Sequence, residues 1–181
     1  MGFHHLAVAT KDALANDVFY ARVMGFELVK VEVGSTPDGW AKHLFYDTGS
    51  DGMIAFWELH DEKIGSDFPT ALSEGFGLPI WVNHIAFTAR DLAEIESRKQ
   101  RWLDAGYDVM EIDHHWCTSI YTTDPNGTLV EFCTTTRAFS DADRAEAQRL
   151  LTAKNPDPVG PKSQKFHKAL REPLHLAAAK R

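Results

Sequence analysis

The sequence predicts an α+β fold in which two βαβββ modules form one concave mixed sheet around a metal site. Three observations predict it: an internal repeat, a histidine at the same place in both copies, and a turn followed by a glutamate near the end of the second copy. We place the modules at about residues 3–60 and 82–136, inside a domain of residues 1–137. A helical tail is expected over residues 138–181.

The internal repeat appears when the chain is compared with itself. The segment FHHLAVAT from Phe3 matches VNHIAFTA from Val82, at an offset of 79 residues. Each copy continues with one helical segment and three strand-like segments separated by turn residues. Because four strands and one helix are too thin a unit to cover both faces of a sheet, we expect the copies to join into one larger sheet with helices outside.

Each copy is predicted to contain one helix. The first is expected to begin near Asp12 and to end at Gly25, and the second to begin near Asp91 and to end at Gly106. The side chains expected on the inward stripes are Leu14, Val18 and Ala21 or Arg22 in the first helix, and Leu92, Ile95, Trp102 and Leu103 in the second.

Three strands follow the helix in each copy. Runs rich in β-branched and aromatic residues, bounded by turn residues, mark them. The predicted strands cover residues 26–31, 43–47 and 53–59 in copy one, and residues 107–112, 118–123 and 128–134 in copy two.

A tight turn precedes a carboxylate in the last hairpin. The run Asp124-Pro-Asn-Gly lies between two segments rich in threonine, isoleucine, valine and phenylalanine. It predicts a hairpin whose return strand presents Glu131. The carboxylate is therefore expected on rigid structure.

The histidines of the first strands occupy equivalent places in the repeat. The register matches His5 with His84 and His4 with Asn83, so His5 is the expected functional member of its doublet. Since side chains alternate across a strand, each histidine shares a face with its neighbours two residues away.

Two glutamates complete the predicted metal set. Aligning Trp57-Glu58-Leu59 with Val130-Glu131-Phe132 makes the two glutamates equivalents, and pseudo-two-fold symmetry would bring them toward His5 and His84. Two imidazoles with one or two carboxylates suit Fe(II), Mn(II), Zn(II), Ni(II) or Co(II) better than Ca(II) or Mg(II).

Composition excludes other function classes. The net charge of -7 argues against nucleic acid as a partner, because phosphate binding needs a basic face. No apolar run approaches a membrane span, and the start lacks the basic and apolar regions of a secretory signal, so we expect a cytoplasmic protein. Cys117 and Cys133 fall on expected partner strands and are expected to be free thiols.

These residues resemble the vicinal oxygen chelate superfamily, which includes glyoxalase I, type I extradiol ring-cleavage dioxygenases, fosfomycin-resistance enzymes and metal-free bleomycin-binding proteins. The resemblance covers about residues 3–136. The segment from Ile112-Asp113-His114 through Ile120-Tyr121 and the turn to Glu131 looks like the signature of extradiol dioxygenases. The other segments that carry the resemblance are His5-Leu-Ala-Val, Phe19-Tyr20 with Gly25-Phe26, Trp57-Glu58-Leu59 and Asn83-His84-Ile-Ala-Phe.

The resemblance implies roles for five residues. His5, His84 and Glu131 would hold a divalent metal, with Fe(II) favoured, and leave the opposite face open for a small aromatic catecholate and O2. Tyr121 would hydrogen-bond a substrate oxygen, and His114 would hold or protonate the reacting oxygens, unless the strand register favours its neighbour. We expect the assembly to be a homodimer.

Departures from the extradiol pattern leave alternatives open. Such enzymes usually carry a further histidine base about fifteen residues before the second metal histidine, where this chain has Pro69, and the nearest upstream histidine is His60. A glyoxalase I-like isomerase would use Glu58 as a fourth ligand. A non-catalytic small-molecule-binding protein of the same fold is the second alternative.

The tail beyond Thr136 differs in character from the modules. A polar helix is predicted from Ser140 to about Ala153, ended by a proline-rich run. The basic stretch from Lys162 to Arg181 is expected to wrap a neighbouring subunit or its own sheet edge, or to be a frayed terminus.

Overall fold

The computed structural model describes residues 3–50 and 52–179. Asp51, in the predicted turn after the third strand, and Lys180 and Arg181, at the end of the predicted tail, lie outside the described residues. Copy one contains β1 (His5–Thr10), α1 (Ala13–Asp17), a π-helix (Val18–Met24), β2 (Glu27–Thr36), β3 (Gly39–Ser50) and β4 (Gly52–Asp61). Copy two contains β5 (His84–Thr88), α2 (Leu92–Asp104), β6 (Val109–Asp113), β7 (Cys117–Thr123) and β8 (Leu129–Thr135).

The strands form two mixed sheets, and both copies have the predicted βαβββ order. The first sheet runs β1-β4-β3-β2, and in the second the order β5-β8-β7-β6 repeats that arrangement. In each, the first strand pairs in parallel with the last strand of its own copy. The single sheet that we expected is not formed: among the described residues, no strand pairing joins the two sheets. The sheets contact each other through packed side chains instead.

One hydrophobic core joins the two copies. Phe26, which follows the first helix, packs against Phe87 and Phe132 of the second sheet at ring-centroid distances of 4.9 and 6.2 Å. Phe56 of β4 and Trp102 of α2 belong to the same buried cluster. Both sheets therefore bury one face in a shared core, and their other faces point away from it.

The predicted helices begin and end where expected, but the inward stripes are wrong at Leu14 in the first helix and at Leu92 in the second. Asp12 and Asp91 cap the N-termini through their side chains, and Gly25 ends the first helix with a φ of 81°. Leu14 is 81% exposed, and Leu92 in the second helix is 55% exposed. From Val18 onward the first helix is a π-helix, whose wider turn changes which side chains share a face. The residues buried there are Phe19, Tyr20, Val23 and Met24.

The tail returns to the second sheet. The predicted polar helix is α3 (Asp141–Thr152), capped by Ser140. Strand β9 (Ser163–His167) then pairs antiparallel with β6 and becomes the fifth strand, so the tail wraps the edge of its own sheet. The last helix is α4 (Leu174–Ala179), and it contacts α1 and the π-helix. Within the described residues, no helix has the length and apolar character that crossing a membrane requires.

Candidate metal centre

The open face of the second sheet gathers three predicted site residues. In the ladders, His84 lies opposite Leu129, Ala86 opposite Glu131, and Glu131 opposite Tyr121. Because side chains alternate along strands, His84, Glu131 and Tyr121 all point away from the core. The fold thus places three neighbouring strands side by side with one functional side chain on each.

His84 and Glu131 form the contact at the centre of this face. The distance from His84 Nε2 to Glu131 Oε2 is 3.0 Å, and only 6% of the Glu131 side chain is exposed. The other ring nitrogen, His84 Nδ1, lies 3.1 Å from the carbonyl oxygen of Trp81, to which only a protonated nitrogen can donate. If the ring is neutral, Nε2 therefore carries a lone pair that faces a carboxylate oxygen of Glu131.

Two such electron pairs repel unless a proton or a cation lies between them. A metal-ligating histidine typically donates its other N–H to a backbone carbonyl, as His84 does to Trp81. Neutral imidazole and carboxylate together form a mixed nitrogen and oxygen donor set for a first-row divalent metal. The pair therefore fits a divalent cation.

Tyr121 and His114 extend the cluster. His114 Nε2 lies 3.0 Å from the hydroxyl of Tyr121, whereas the adjacent His115 turns to the carbonyl of Gly160. Of the two histidines, His114 is therefore the one on this face. Burial, with the charge of Glu131 beside the ring, raises the pKa of Tyr121 above its ordinary value, so the phenol keeps its proton at neutral pH.

The predicted turn holds Glu131 in place. Asp124 Oδ1 accepts hydrogen bonds from the backbone N–H groups of Asn126 and Thr128, at 2.9 and 2.8 Å, and Gly127 has a φ of 80°. Asp124 Oδ2 accepts a hydrogen bond of 2.8 Å from the hydroxyl of Tyr20 in the π-helix. The hairpin is therefore fixed both internally and to the core.

His5 lies on the open face of the first sheet, apart from the pair on the second. Its ring centroid is 5.5 Å from that of Phe45 and 6.0 Å from that of His43. Within residues 3–50 and 52–179, no three His, Cys, Asp or Glu side chains are close enough together to hold a metal ion. A single chain thus presents His5 separately from His84 and Glu131.

Glu58 is not the structural equivalent of Glu131. In the first sheet His5 lies opposite Met53 and Ala7 opposite Ala55, so Ala55 occupies the place that Glu131 has in the second. Glu58 lies three residues further along β4 and therefore on the opposite face from His5. The alignment of the two Trp/Val-Glu-Leu/Phe triplets was therefore wrong by three residues.

Glu58 is engaged on the core side of its sheet. Its carboxylate accepts hydrogen bonds from Lys42 Nζ and from the N–H of Ala13, each at 2.8 Å, and contacts His60 Nε2 at 2.9 Å. Burial alone would raise the pKa of Glu58, but these three donors outweigh it and lower that pKa to about 2. His60 also stacks on Trp40. His60 thus contacts Glu58 and Trp40 and is not part of the His84–Glu131 cluster.

The sequence interpretation missed His43. This residue is buried beneath Trp57, with ring centroids 3.8 Å apart, and its Nε2 has no hydrogen-bond partner. Burial, together with the nearby His5, lowers the pKa of His43, so its ring is neutral at physiological pH. Strand alternation was the signal that could have found it. His43 and Phe45 are two residues apart on β3, so their side chains share a face, and this is the face of His5.

Comparison with known proteins agrees with the fold. The family model described as the Glyoxalase/Bleomycin resistance protein/Dioxygenase superfamily matches residues 2–132. No curated protein sequence matches the chain significantly.

Solved structures of low sequence identity share the architecture. A glyoxylase/bleomycin resistance protein/dioxygenase domain from Frankia sp. EAN1pec is 14% identical, with a TM-score of 0.61 over 75% of this chain and 98% of that one. The fosfomycin resistance protein FosX from Listeria monocytogenes is 19% identical, with a TM-score of 0.53 over 75% and 94%. The antibiotic binding protein TnmS3 from Streptomyces sp. CB03234 is 13% identical, with a TM-score of 0.51 over 75% and 97%.

At these identities the structural matches establish the fold alone, whereas the family model covers more than half of the chain. The chain belongs to the Glyoxalase/Bleomycin resistance protein/Dioxygenase superfamily.

Proposed function

We propose that the chain is a metal-dependent dioxygenase of the extradiol type, with Fe(II) held by His5, His84 and Glu131. The observation that carries the proposal is the 3.0 Å contact between His84 and Glu131, beside Tyr121 on the same open face. When bound, the metal would supply the coordination positions that bring a catecholate and O2 together.

A second copy of the chain would supply His5. The two open faces point away from one shared core, so the first sheet of one protomer is free to face the second sheet of another. Trp57 on the first open face is 38% exposed, which leaves apolar surface for such a contact. A closed two-fold dimer would contain two identical sites, each with His5 from one protomer and His84 and Glu131 from its partner.

Tyr121 and His114 would bind the substrate and move its proton. A protonated Tyr121 can donate to a catechol oxygen, and His114, 3.0 Å from the Tyr121 hydroxyl, can give or take the proton that moves through it. Phe45 and Trp57 would provide an apolar wall for the ring. These residues bind and orient the substrate and hold its proton.

The position of Glu58 favours this reaction over the glyoxalase I-like alternative. That isomerase reaction would use a fourth protein ligand, and Glu58 already accepts hydrogen bonds from Lys42 and Ala13 on the other face of its sheet. Three protein ligands leave enough positions for a bidentate catecholate and O2. The second alternative, a binding protein without metal, is supported by the aromatic wall of the first sheet but gives no role to the His84–Glu131 contact.

Anaerobic loading with Fe(II), followed by O2 uptake with a panel of catechols, tests the proposal. We expect wild-type protein to consume O2 with at least one catechol. Glu131→Gln is expected to lose both iron and uptake. The matched control Glu58→Gln, which removes a carboxylate outside the site, is expected to retain both.

Two outcomes would contradict the proposal. Bound iron without O2 uptake on any catechol would argue against ring cleavage. Loss of metal in Glu58→Gln, together with conversion of the methylglyoxal–glutathione adduct by the wild type, would instead support the isomerase.

A further inference from the structure

A cavity of about 580 Å³ lies on the second sheet beside the candidate metal centre. Its wall includes Tyr121 and Leu129, which lie opposite Glu131 and His84 in the strand ladders. A molecule in this cavity would therefore lie against residues that neighbour the proposed metal ligands in the sheet. The tail completes the cavity, because the residues after β9 form its far wall.

Part of the lining is apolar. Met110 lies opposite Tyr121 on one side and opposite Phe166 on the other, so all three share the open face. Phe166 is 66% exposed and Ile80 borders the same space. This row of side chains leads from Tyr121 across the sheet to β9, and it suits a hydrocarbon segment rather than a polar one.

Two cations, Lys168 and Arg171, border the cavity. Lys168 and Arg171 form no side-chain hydrogen bond or ion pair within residues 3–50 and 52–179. Their neighbours differ, because Lys162 pairs with Asp113 and Lys165 with Glu111.

The lining contains one carboxylate, and it is already engaged. Asp108 Oδ1 accepts the N–H of Ala169 at 2.8 Å, so the aspartate fixes the backbone between the two cations. Among the charged residues of the lining, Lys168 and Arg171 thus outnumber Asp108, in a chain whose net charge is -7. This local reversal of charge favours an anionic ligand.

We propose that the cavity binds the carboxylate-bearing side chain of an aromatic substrate, with Lys168 and Arg171 as counter-ions. The inference rests on the proposed function, which places the ring of the substrate at Tyr121 and His114. The apolar row at Met110 and Phe166 would hold the carbon chain between ring and carboxylate. Arginine suits this role because its planar group can donate two parallel hydrogen bonds to a carboxylate.

Calorimetric titration of the metal-free protein tests the inference without depending on the reaction. The probes are 3-phenylpropanoate and the matched neutral alcohol, 3-phenylpropanol. We expect the acid to bind about tenfold more tightly, as two charge-assisted contacts at an open cavity would give. The double variant Lys168→Gln/Arg171→Gln is expected to bind both probes equally.

Two further variants separate charge from shape. Lys154→Gln/Arg144→Gln removes the same charge away from the cavity and is expected to retain the preference for the acid. Ala169→Leu places a larger side chain in the cavity wall and is expected to weaken the binding of both probes. Equal binding of acid and alcohol by the wild type, no binding of either, or an unchanged preference in Lys168→Gln/Arg171→Gln would overturn the inference.

The two proposals fail differently. O2 uptake by the wild type with neutral 4-methylcatechol tests the dioxygenase proposal separately, because this substrate has no carboxylate to bind in the cavity. If uptake is absent but the acid preference is present, the dioxygenase proposal fails and the anion site stands. If uptake is present but the preference is absent, the anion site fails and the dioxygenase proposal stands.

Discussion

Two of the chain's histidine–glutamate contacts have nearly the same length, 3.0 Å between His84 and Glu131 and 2.9 Å between His60 and Glu58. Their surroundings differ. Glu58 also accepts hydrogen bonds from Lys42 and a backbone N–H, which balance its charge, while the other ring nitrogen of His84 faces the carbonyl oxygen of Trp81. We therefore assign the first contact to the candidate metal centre and the second to a structural ion pair.

The hydroxyl of Tyr121 is expected to contribute to turnover and not to metal binding. Replacing Tyr121 with Phe removes one donor aimed at the substrate and should lower kcat about 10²-fold. Iron content should be unchanged, because the phenol is not a proposed ligand. Tyr46→Phe is the matched control, since it removes a hydroxyl that contacts Asp17 on the core side. A normal kcat in Tyr121→Phe would remove this residue from the mechanism.

The ion pair of Glu58 predicts a dependence of stability on pH. The pKa of Glu58 is lowered from 4.5 to about 2 in the folded protein, so the folded state holds the ionised form more strongly than the unfolded state does. Its contribution is fully present above pH 4.5 and is lost as the pH falls toward about 2.

Denaturant unfolding at a series of pH values checks this expectation. The free energy of unfolding of Glu58→Gln should fall less between pH 4.5 and about 2 than that of the wild type. Glu62→Gln, a change at the neighbouring exposed carboxylate, is expected to follow the wild type. Parallel curves for wild type and Glu58→Gln would show that the pair contributes nothing to acid stability.

Among the elements, the tail is tied to the second module through Gly106. This residue has a φ of 89°, and a Cβ there would collide with the carbonyl oxygen of Glu172. The N–H of Leu174 donates to Ala105 at 2.9 Å beside it. The close approach of the two backbones thus needs a residue without a side chain.

Gly106→Ala is expected to lower the free energy of unfolding by about 1–3 kcal/mol, since it combines an unfavourable φ with a steric collision. It should also make the tail after β9 more sensitive to limited proteolysis. Gly34→Ala is the control, because nothing lies within 4 Å of a Cβ at that position. Equal stability of the two variants would mean that the tail is not held at Gly106.

Most element positions were predictable because local chemistry determines them. Asp12 and Asp91 cap helices through their side chains, and Asp124 closes the last turn, so each boundary follows from a few neighbouring residues. The stripe of the first helix from Val18 onward was not predictable, because a π-helix leaves no distinct pattern in a single sequence. The sequence left strand β9 undecided because its pairing with β6 depends on residues 50 to 58 positions away.

At the scale of the whole molecule, the candidate site could be predicted only in part. Glu131 and His84 were identified from the hairpin and the repeat, and Tyr121 and His114 from the family resemblance; the fold brings the four together. The Glu58 alignment failed because the spacing between β1 and β4 differs from that between β5 and β8, so Ala55 takes the equivalent place. Whether the modules of one chain or of two share a site depends on core packing, which sequence periodicity does not encode.

Metal binding by mixed variants tests the central claim most directly, namely that His5 of one protomer joins His84 and Glu131 of another. His5→Ala and His84→Ala should each bind no metal as pure proteins. In a mixed dimer of the two, one site would carry both changes and the other would carry neither. Co-refolding equal amounts should therefore restore about a quarter of the wild-type metal content, whereas a mixture that binds no more metal than the separate variants would contradict the shared site.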